Sequence, residues 1–485
     1  MTTIPAGAAP STAPPRAAGH DGIAPVPEDQ RVLGAAEFRW IWPSAQFSFG
    51  TVVLGALPIT FGLGWWDSVT AVAAGVAVGT ALLAPLARFG VRTAMNDPMS
   101  SGAHFGVRGR IVGSVITVVT ALGFFAIAVW TGGTAVMVAG HRLLSTPTGP
   151  GALTAAMLVT AGAVAVVAVR GHAALVRTYR VTALAGGAVL AGLVLVLAPR
   201  FDAGYGGGTP VLGSGLHTWL LAATASASVP LSYATFQGDY TRYMRAGTPM
   251  KAVVRHSAAA MFLSSLAALL TGAYVTTLFS DPGVPWLQGL TDAVPGWFAT
   301  VVVLFGFAGT LPQGALCLYA AGLSANSVFW RSSRAVVTSV VAVLALVVLY
   351  LGAVVYEAMD AMSAFVTLLL TAVAPWAAVL TVGYRLHRGR YAPEELRTFA
   401  SEDGQQGRYW YVRGVNPRAL AAFAAGAVTG LLWVNNPLYT GPLTGLTDGV
   451  DLSLPVSFAV AAVVYALLCR LRPEPSLVAG RSRRT

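Results

Sequence analysis

The sequence predicts an all-α polytopic membrane protein with twelve transmembrane helices. Of its 485 residues, 55% are hydrophobic and only 10% are charged, and the mean hydropathy is +0.67. Soluble domains carry about 25% charged residues, so the composition excludes a soluble enzyme. The chain is also divided into apolar runs of about 20 residues, the length that a helix needs to cross the hydrocarbon core of a bilayer.

The cysteines and the charges exclude further classes of protein. Cys317 and Cys469 are too few for a disulfide scaffold or a cysteine-rich metal site. The net charge is +11, but the basic residues lie in short loops between the apolar runs rather than on a soluble module with base-stacking aromatics. The expected partner is therefore the lipid bilayer, and nucleic acid is not expected as one.

Twelve apolar runs are long enough to cross a membrane. They lie near 40–63, 66–87, 111–140, 151–169, 181–199, 214–236, 256–279, 296–327, 335–356, 361–384, 419–435 and 453–469. The runs near 111–140 and 296–327 are long, which indicates tilted helices or helices that extend beyond the bilayer.

The basic residues predict the orientation of these runs. With twelve spans the loops alternate between two sides, and of the 30 basic residues only Arg142 and Arg200 fall on the side opposite the termini. The positive-inside rule therefore places both termini in the cytoplasm and the chain in the inner cell membrane.

The same pattern predicts how the chain is divided. Residues 1–38 are predicted to be a disordered cytoplasmic tail, because they are rich in Ala, Pro and Gly and lack the apolar core of a signal peptide. The segments that follow are two five-helix units at 39–199 and 212–384, a cytoplasmic loop at 385–418, two further helices at 419–470 and a basic cytoplasmic tail at 471–485.

The first and the sixth apolar runs each carry a proline with polar neighbours. Pro43 lies beside Ser44 and Gln46 in the first run, and Pro230 lies near Ser228 in the sixth. Runs one and six occupy matching positions in two five-helix repeats, which is the pattern of inverted-repeat transporters whose broken helices bind substrate at mid-membrane. Ordinary kinks in membrane helices are the alternative.

The eighth and third runs contain further candidate ligand contacts. Gln313 lies in a flexible stretch of the eighth run, and its amide suits the edge of a nucleobase or another amide. A helix–helix hydrogen bond is the alternative. Phe124 in the third run can stack on a planar ligand, with core or lipid packing as the alternative.

Five short stretches carry a family resemblance. They lie at 22–28 with Arg31, at 89–93 with 105–109, at 232–234 with 238–243, at 318–324 and at 374–378. They read GIAPVPE, FGVRT with FGVRG, SYA with GDYTRY, LYAAGLS and APWAA. In this order they are similar to signatures of the nucleobase–cation symporter-1 family, and the chain resembles its purine–cytosine permease branch.

The resemblance implies a fold and an activity. The fold is that of the leucine transporter, with ten core helices in two inverted five-helix repeats and two additional helices. The activity is alternating-access import of a nucleobase, such as cytosine or a purine, or of a related planar heterocycle, by symport with H⁺ or Na⁺ and without another cofactor. A same-fold transporter for a vitamin, allantoin, a hydantoin or an amino acid is the alternative.

A membrane enzyme is disfavoured, because acid–base or metal chemistry needs clustered acidic residues or histidines and the seven histidines are scattered at loops and helix ends. We expect no enzymatic activity. The oligomeric state stays open.

The resemblance also implies substrate-binding positions. Gln46 in the first-helix break holds the substrate and Phe124 stacks on it. Ala128 replaces a glutamine of some members, and Pro230 lies near the place of a helix-six tryptophan. The implied substrate-binding residues are Ser44, Gln46, Phe124, Ala128, Ser228, Pro230, Gln313 and Gly314.

The ion site and the inner gate are implied in the same way. The carbonyls of Trp42 and Ala45 and the hydroxyl of Thr310 are the oxygens that match a sodium site of the family. Two helix-eight hydroxyls are usual in sodium-coupled members, so a single one leaves proton coupling open. Asp239 and Arg242, at the inner end of the sixth run, are candidates for a latch on the inner gate, with a local salt bridge as the alternative.

Overall fold

A computed structural model describes residues 24–169, 172–279, 285–329, 332–400 and 407–474, and this part of the chain is almost entirely helical. Among these residues, eight helices are long and apolar enough to cross a membrane, and three shorter apolar helices lie at 49–60, 339–355 and 417–433. Together with the more polar helix Gly215–Ser232, these helices account for the twelve predicted runs. Residues 1–23 and 475–485, which belong to the two predicted tails, lie outside the described residues.

We number the spans in chain order. Their helices are span 1, Phe38–Gln46, Phe49–Leu54 and Leu57–Thr60; span 2, Trp65–Leu83; span 3, Ile111–Leu144; span 4, Pro150–Val169; span 5, His172–Leu197; span 6, Gly215–Ser232, continued by Tyr233–Thr235 and Gln237–Thr241; span 7, Met250–Thr276; span 8, Gly296–Val328; span 9, Arg334–Tyr350 with the π-helical turn Leu351–Val355; span 10, Ala358–Leu386; span 11, Pro417–Trp433; and span 12, Ser453–Leu471.

Shorter elements connect the spans. The described connections contain the helices Ala87–Thr93, Asp97–Phe105 and Trp286–Ala293, the 3₁₀ turns Glu28–Gln30, Ala35–Glu37, Ala84–Leu86, Ala198–Arg200, Pro393–Ala400 and Thr444–Thr447, and the two-residue strands Asn435–Asn436 and Tyr439–Thr440. The two strands pair antiparallel as a small hairpin between spans 11 and 12.

The packing of the first five spans recurs in the next five. Spans 1 to 5 correspond to spans 6 to 10. Span 2 packs along span 6, and the corresponding span 7 packs along span 1. In the same way, the contact of span 1 with span 5 recurs between spans 6 and 10, and the contact of span 4 with span 8 recurs between spans 9 and 3. This exchange of partners is what two interlocked, inverted five-helix repeats produce. Spans 11 and 12 pack on each other and on span 10.

Glycines allow the closest of these approaches. A Cβ atom on Gly79 of span 2 would collide with the carbonyl oxygen of Ala227 in span 6. A Cβ atom on Gly272 of span 7 would collide with the carbonyl oxygen of Val52 in span 1. Small residues let membrane helices approach backbone to backbone, and here they do so at both equivalent interfaces.

Residues 24–38, predicted from their composition to be part of a disordered tail, are folded against the rest of the chain. The Arg31 guanidinium donates to the carbonyls of Met244 (2.9 Å) and Val91 (2.6 Å). Leu33 also exchanges backbone hydrogen bonds with the segment that follows span 6. The partners are backbone carbonyls, which the composition of the segment does not reveal.

The segment between spans 10 and 11 is also attached to the core. Leu396 and Tyr409 from this segment form a small apolar cluster with Met99 and Val107 from the connection between spans 2 and 3. The described parts of this segment, 387–400 and 407–416, therefore cover the helix Asp97–Phe105.

Candidate functional site

Span 1 is interrupted in its middle. The helix Phe38–Gln46 ends at Phe47, and Ser48 is extended, with φ −123° and ψ 152°. The amide of Phe47 donates to the carbonyl of Pro43 (2.8 Å), and the helical hydrogen bonds of span 1 resume only after Ser48. A helix end leaves carbonyls without intrahelical partners, so this break places polar backbone inside the membrane core.

Gln46 lies directly before the break and is fully buried. Its Nε2 donates to Sδ of Met261 in span 7 (3.4 Å), while its Oε1 has no hydrogen-bond partner among the described residues. Trp42, one turn earlier, donates its indole N–H to Ser257 of the same span (3.1 Å). Trp42 and Gln46 therefore both face span 7.

Four buried or half-buried rings meet between spans 1, 3, 6 and 10. Tyr233 is 5.6 Å from Trp42 and 6.2 Å from Phe124 between ring centroids, and Phe124 is 5.6 Å from Phe365. We call Trp42, Phe124, Tyr233 and Phe365 the aromatic cluster. The Phe124 and Tyr233 rings are tilted by 38°, nearer to parallel than the other pairs of the cluster.

Gln313 of span 8 lies at the aromatic cluster. Its Nε2 is 3.5 Å from the hydroxyl of Tyr233, and its Oε1 is buried with no hydrogen-bond partner in the described part of the chain. Gly314 faces elsewhere, because a Cβ atom there would lie 2.9 Å from the side chain of Val164 in span 4. Of the two helix-eight candidates, Gln313 is thus the one beside the rings.

Three other predicted substrate residues make contacts within their own helix or with span 2. The hydroxyl of Ser44 donates to the carbonyl of Ile41 (2.8 Å), and that of Ser228 donates to the carbonyl of Ala225 (2.6 Å). The ring of Pro230 lies against span 2, 2.6 Å from where a Cβ atom of Gly79 would be.

Ala128 is buried on span 3, one turn after Phe124. Its carbonyl accepts a hydrogen bond from Thr131 (3.0 Å). The position therefore contributes backbone and a methyl group near the rings, and no side-chain hydrogen bond.

The predicted ion ligands come from two spans. Trp42 and Ala45 lie in the last two turns before the span 1 break, and the hydroxyl of Ser48 is 3.5 Å from the carbonyl of Ala45. The hydroxyl of Thr310 donates to the carbonyl of Gly306 (2.7 Å) and faces span 3, where a Cβ atom on Gly132 would lie 2.9 Å away.

The candidate inner gate is buried and connects two further elements. Asp239 and Arg242 are both almost completely buried, and they attract each other. Arg242 also hydrogen-bonds to Tyr319 of span 8. The amide of the neighbouring Gly238 donates to Oδ2 of Asp97, so the end of span 6 is held to the connection between spans 2 and 3.

Two residues of the aromatic cluster were not among the predicted site residues. Tyr233 lies in the Ser232-Tyr233-Ala234 stretch that supports the family resemblance, and this was the signal that could have identified it. Phe365 lies in an ordinary apolar run, where nothing distinguishes it from a packing residue.

An apolar cavity adjoins the cluster. Its volume is about 220 Å³, and it lies between spans 3, 9 and 10, with Trp130, Gly352 and Phe365 among its lining residues. Phe365 is therefore shared by the cavity and the aromatic cluster, and the cavity extends the apolar surroundings of the rings toward span 9.

Two interlocked five-helix repeats with a broken first helix, and buried amides beside stacked rings, define a membrane transporter of the inverted-repeat class. A family model described as "Permease for cytosine/purines, uracil, thiamine, allantoin" matches residues 25–457, and the chain belongs to this family. Since the family consists of permeases, the chain is a transporter and not an enzyme.

Individual relatives agree with this assignment. The chain is 24% identical over 457 residues to the "Putative purine-cytosine permease YxlA" of Bacillus subtilis (strain 168), covering 92% of this chain and 95% of that protein. It is also 24% identical over 127 residues to the "Purine-uracil permease NCS1" of Arabidopsis thaliana, covering 25% of this chain and 21% of the relative.

Solved structures show the same fold. Mhp1, a nucleobase-cation-symport-1 family transporter in a closed conformation with bromovinylhydantoin bound, superposes with a TM-score of 0.72 at 18% identity. The match covers 93% of this chain and 96% of Mhp1. A Na⁺-coupled sialic acid symporter matches with a TM-score of 0.56 at 13% identity, covering 95% and 93% of the two chains. The leucine-transporter-like fold expected from the sequence is confirmed.

Proposed function

We propose that this transporter imports a neutral, planar nucleobase or closely related heterocycle that stacks on the aromatic cluster and is hydrogen-bonded by Gln313. The observation that supports the proposal is the position of Gln313. Its amide nitrogen lies beside Tyr233, which packs on Phe124, and its buried Oε1 has no partner in the described structure. An aromatic wall next to an unsatisfied amide acceptor suits a flat ring that carries an N–H donor.

The same chemistry predicts selectivity. A buried acceptor left unpaired costs about 1–3 kcal/mol, so a ring that presents an N–H to Gln313 is favoured over a methylated ring of the same shape. Gln46 supplies a second buried amide oxygen without a partner in the described chain, and it lies next to the span 1 break. The cluster consists of uncharged side chains, which favours a neutral ring over a ring that carries a net charge.

We further propose that import is coupled to an inward cation gradient. The carbonyls of Trp42 and Ala45 near the span 1 break suit a hard cation, while the single hydroxyl of Thr310 faces span 3. Both H⁺ and Na⁺ therefore stay open as the coupling ion. The basic loops support a cytoplasmic location of both termini in the inner membrane, with 39–199 and 212–384 as the two repeats.

Uptake into proteoliposomes tests the function directly. The panel is labelled cytosine, uracil, adenine, hypoxanthine, allantoin and thiamine, each with an imposed Na⁺ gradient and, separately, with a proton gradient. We expect saturable accumulation of a neutral ring under one gradient, which identifies the coupling ion.

Matched variants connect the uptake to the site. Phe124→Ala and Gln313→Ala are expected to reduce accumulation, whereas Gln288→Ala, which changes an exposed glutamine, is expected to leave it unchanged. Absence of accumulation by folded protein for every ring under both gradients would contradict the proposal.

A further inference from the structure

Three side chains from distant parts of the chain meet at one buried point away from the aromatic cluster. They are His104 from the helix Asp97–Phe105, His387 directly after span 10 and Glu474 three residues after the end of span 12. All three are buried, and one potential ligand atom from each lies within 4.8 Å of the others.

The two imidazoles are oriented by different partners. His387 Nε2 is 3.1 Å from Glu474 Oε2, and His104 Nε2 is 3.0 Å from the hydroxyl of Tyr391. Nδ1 of His104 is buried and has no hydrogen-bond partner among the described residues. Nδ1 of His104 lies against Gly383 of span 10, one turn before His387, so the two imidazoles meet at the same end of span 10. A metal-binding histidine commonly has its other ring nitrogen held by a hydrogen bond, as Nε2 of His104 is held by Tyr391.

We propose that His104, His387 and Glu474 form a binding site for a divalent transition-metal ion, and that Zn²⁺ is the ion this donor set favours. Two imidazole nitrogens and a carboxylate oxygen are a common zinc ligand set. Bonds of about 2.0–2.2 Å hold tetrahedral ligand atoms roughly 3.3 Å apart, so ligand atoms within 4.8 Å need only a small inward movement. The fourth position is filled by water or by Cys469, whose Sγ is 3.6 Å from Glu474 Oε1.

Further hydrogen bonds hold the carboxylate in place. Asn416 donates to Glu474 Oε1 (2.6 Å) and to the backbone carbonyl of His104 (2.6 Å), and Tyr465 donates to the same Oε1 (2.9 Å). Such outer partners fix the ligand geometry before the metal arrives. A bound ion would connect the helix Asp97–Phe105, the end of span 10 and the segment after span 12, and so clamp three elements that the backbone does not join directly.

Zinc binding to the purified full-length protein tests the site. The protein is treated with a chelator, dialysed and titrated with ZnCl₂ against a fluorescent zinc indicator, with the stoichiometry measured by elemental analysis. We expect one Zn²⁺ per chain, and a rise in unfolding temperature that the chelator reverses. X-ray absorption at the zinc edge is expected to show histidine nitrogens and a carboxylate oxygen in the wild-type protein.

Matched variants localise the ion. His387→Phe keeps the ring, which stacks on Tyr391, but removes the ligand atom, and Glu474→Gln keeps the shape of the carboxylate. Each is expected to weaken zinc binding by about 100-fold. Loss of a residue that only hydrogen-bonds to a ligand typically costs about 10–100-fold, and loss of the ligand itself should cost at least as much. His256→Phe, the same change outside the cluster, is expected to leave the affinity unchanged.

Two results would overturn the proposal. One is the absence of stoichiometric Zn²⁺ binding by the folded wild-type protein, which would leave the cluster as a hydrogen-bonded contact only. The other is wild-type affinity in His387→Phe and Glu474→Gln, or a zinc-edge spectrum without histidine ligands. Neither result bears on the proposed heterocycle uptake, which is measured separately.

Discussion

Span 1 and span 6 occupy equivalent places in the two repeats, and both carry a proline inside the helix, yet the structure interrupts them differently. Span 1 opens at Ser48, an extended residue five positions after Pro43. Span 6 continues through Pro230 and tightens into the 3₁₀ turn Tyr233–Thr235, and Phe236 keeps φ −108° and ψ −13°. One interruption exposes backbone carbonyls, and the other turns an aromatic ring inward.

This difference shows that the repeats contribute different chemistry to one site. Span 1 supplies free backbone and the amide of Gln46, both suited to polar groups. Span 6 supplies the ring of Tyr233, which contacts Trp42 and Phe124. The serines that surround both prolines are not the source of the difference, because Ser44 and Ser228 each donate to the carbonyl three residues earlier in their own helix.

The largest effect is expected where the repeats touch backbone to backbone. In Gly272→Ala the new methyl group would collide with the carbonyl oxygen of Val52 in span 1, and backbone atoms cannot rotate away. We expect a loss of about 3 kcal/mol in stability, the upper end for overpacking, measured by thermal unfolding in detergent.

Two further glycines serve as comparisons for this prediction. Gly79→Ala, at the equivalent span 2–span 6 contact, is expected to be similarly harmful. Gly162→Ala in span 4 has open space around it and is expected to be neutral or slightly stabilising. Tolerance of alanine at Gly272 but not at Gly79 would mean that the two interfaces are not equivalent.

The next largest effect is expected from the ring of span 6. Tyr233→Ala removes the ring contacts with Trp42 and Phe124, each worth about 1 kcal/mol, that hold the aromatic cluster in its binding arrangement. If substrate binding must restore that arrangement, uptake efficiency should fall by up to about 30-fold. Tyr233→Phe keeps the ring and should stay within about threefold of wild type, since it loses only a long contact with Gln313. Initial uptake rates over a substrate series measure both. Equal damage by the two changes would mean that the hydroxyl, and not the ring, is the functional group.

A smaller effect is expected from the amide. Gln313→Ala should weaken substrate binding about tenfold, because one hydrogen bond to a buried acceptor contributes about 1–1.5 kcal/mol. A substrate methylated at the nitrogen that contacts Gln313 should bind the wild-type protein about tenfold more weakly than the unmethylated substrate does. The Gln313→Ala change should then weaken binding of the methylated substrate little further. Independent, additive losses would show that Gln313 does not contact that nitrogen.

The smallest effect is expected from the serines. Ser44→Ala and Ser228→Ala remove hydroxyls that hydrogen-bond within their own helices, so uptake should change by no more than about twofold. A much larger loss in either variant, with normal expression and unfolding temperature, would return that serine to the substrate site implied by the family resemblance.

The sequence was informative about the helices and less so about the contacts. Length and apolarity predicted twelve runs, and each coincides with a span. A helix in lipid must form all its backbone hydrogen bonds within itself, so a continuous apolar segment of the sequence is enough to identify it. Pro43 predicted an interruption in span 1 for the same local reason. The folded segment at 24–38 was missed, because Arg31 binds backbone carbonyls that leave no mark on side-chain composition.

The site was predictable only in part. Phe124 and Gln313 were predicted from their ring and amide chemistry as well as from the family resemblance, and the structure places both beside Tyr233. Tyr233 was predicted only as part of a family motif. Gln313 and Gly314 could not be separated from sequence, because neighbouring helical residues point about 100° apart and only the surrounding spans decide which one faces inward.

The sequence by itself determined the membrane class, the number of spans and the interruption in span 1, since these depend on hydrophobic length and on proline within one segment. Only the tertiary structure decided which side chains share a site. It joined Tyr233 to Phe124 and Gln313 across three spans, and it carried Glu474 from the end of the chain to His104 and His387. Contacts between segments so far apart depend on how the helices pack against one another, and no local pattern in the sequence records that arrangement.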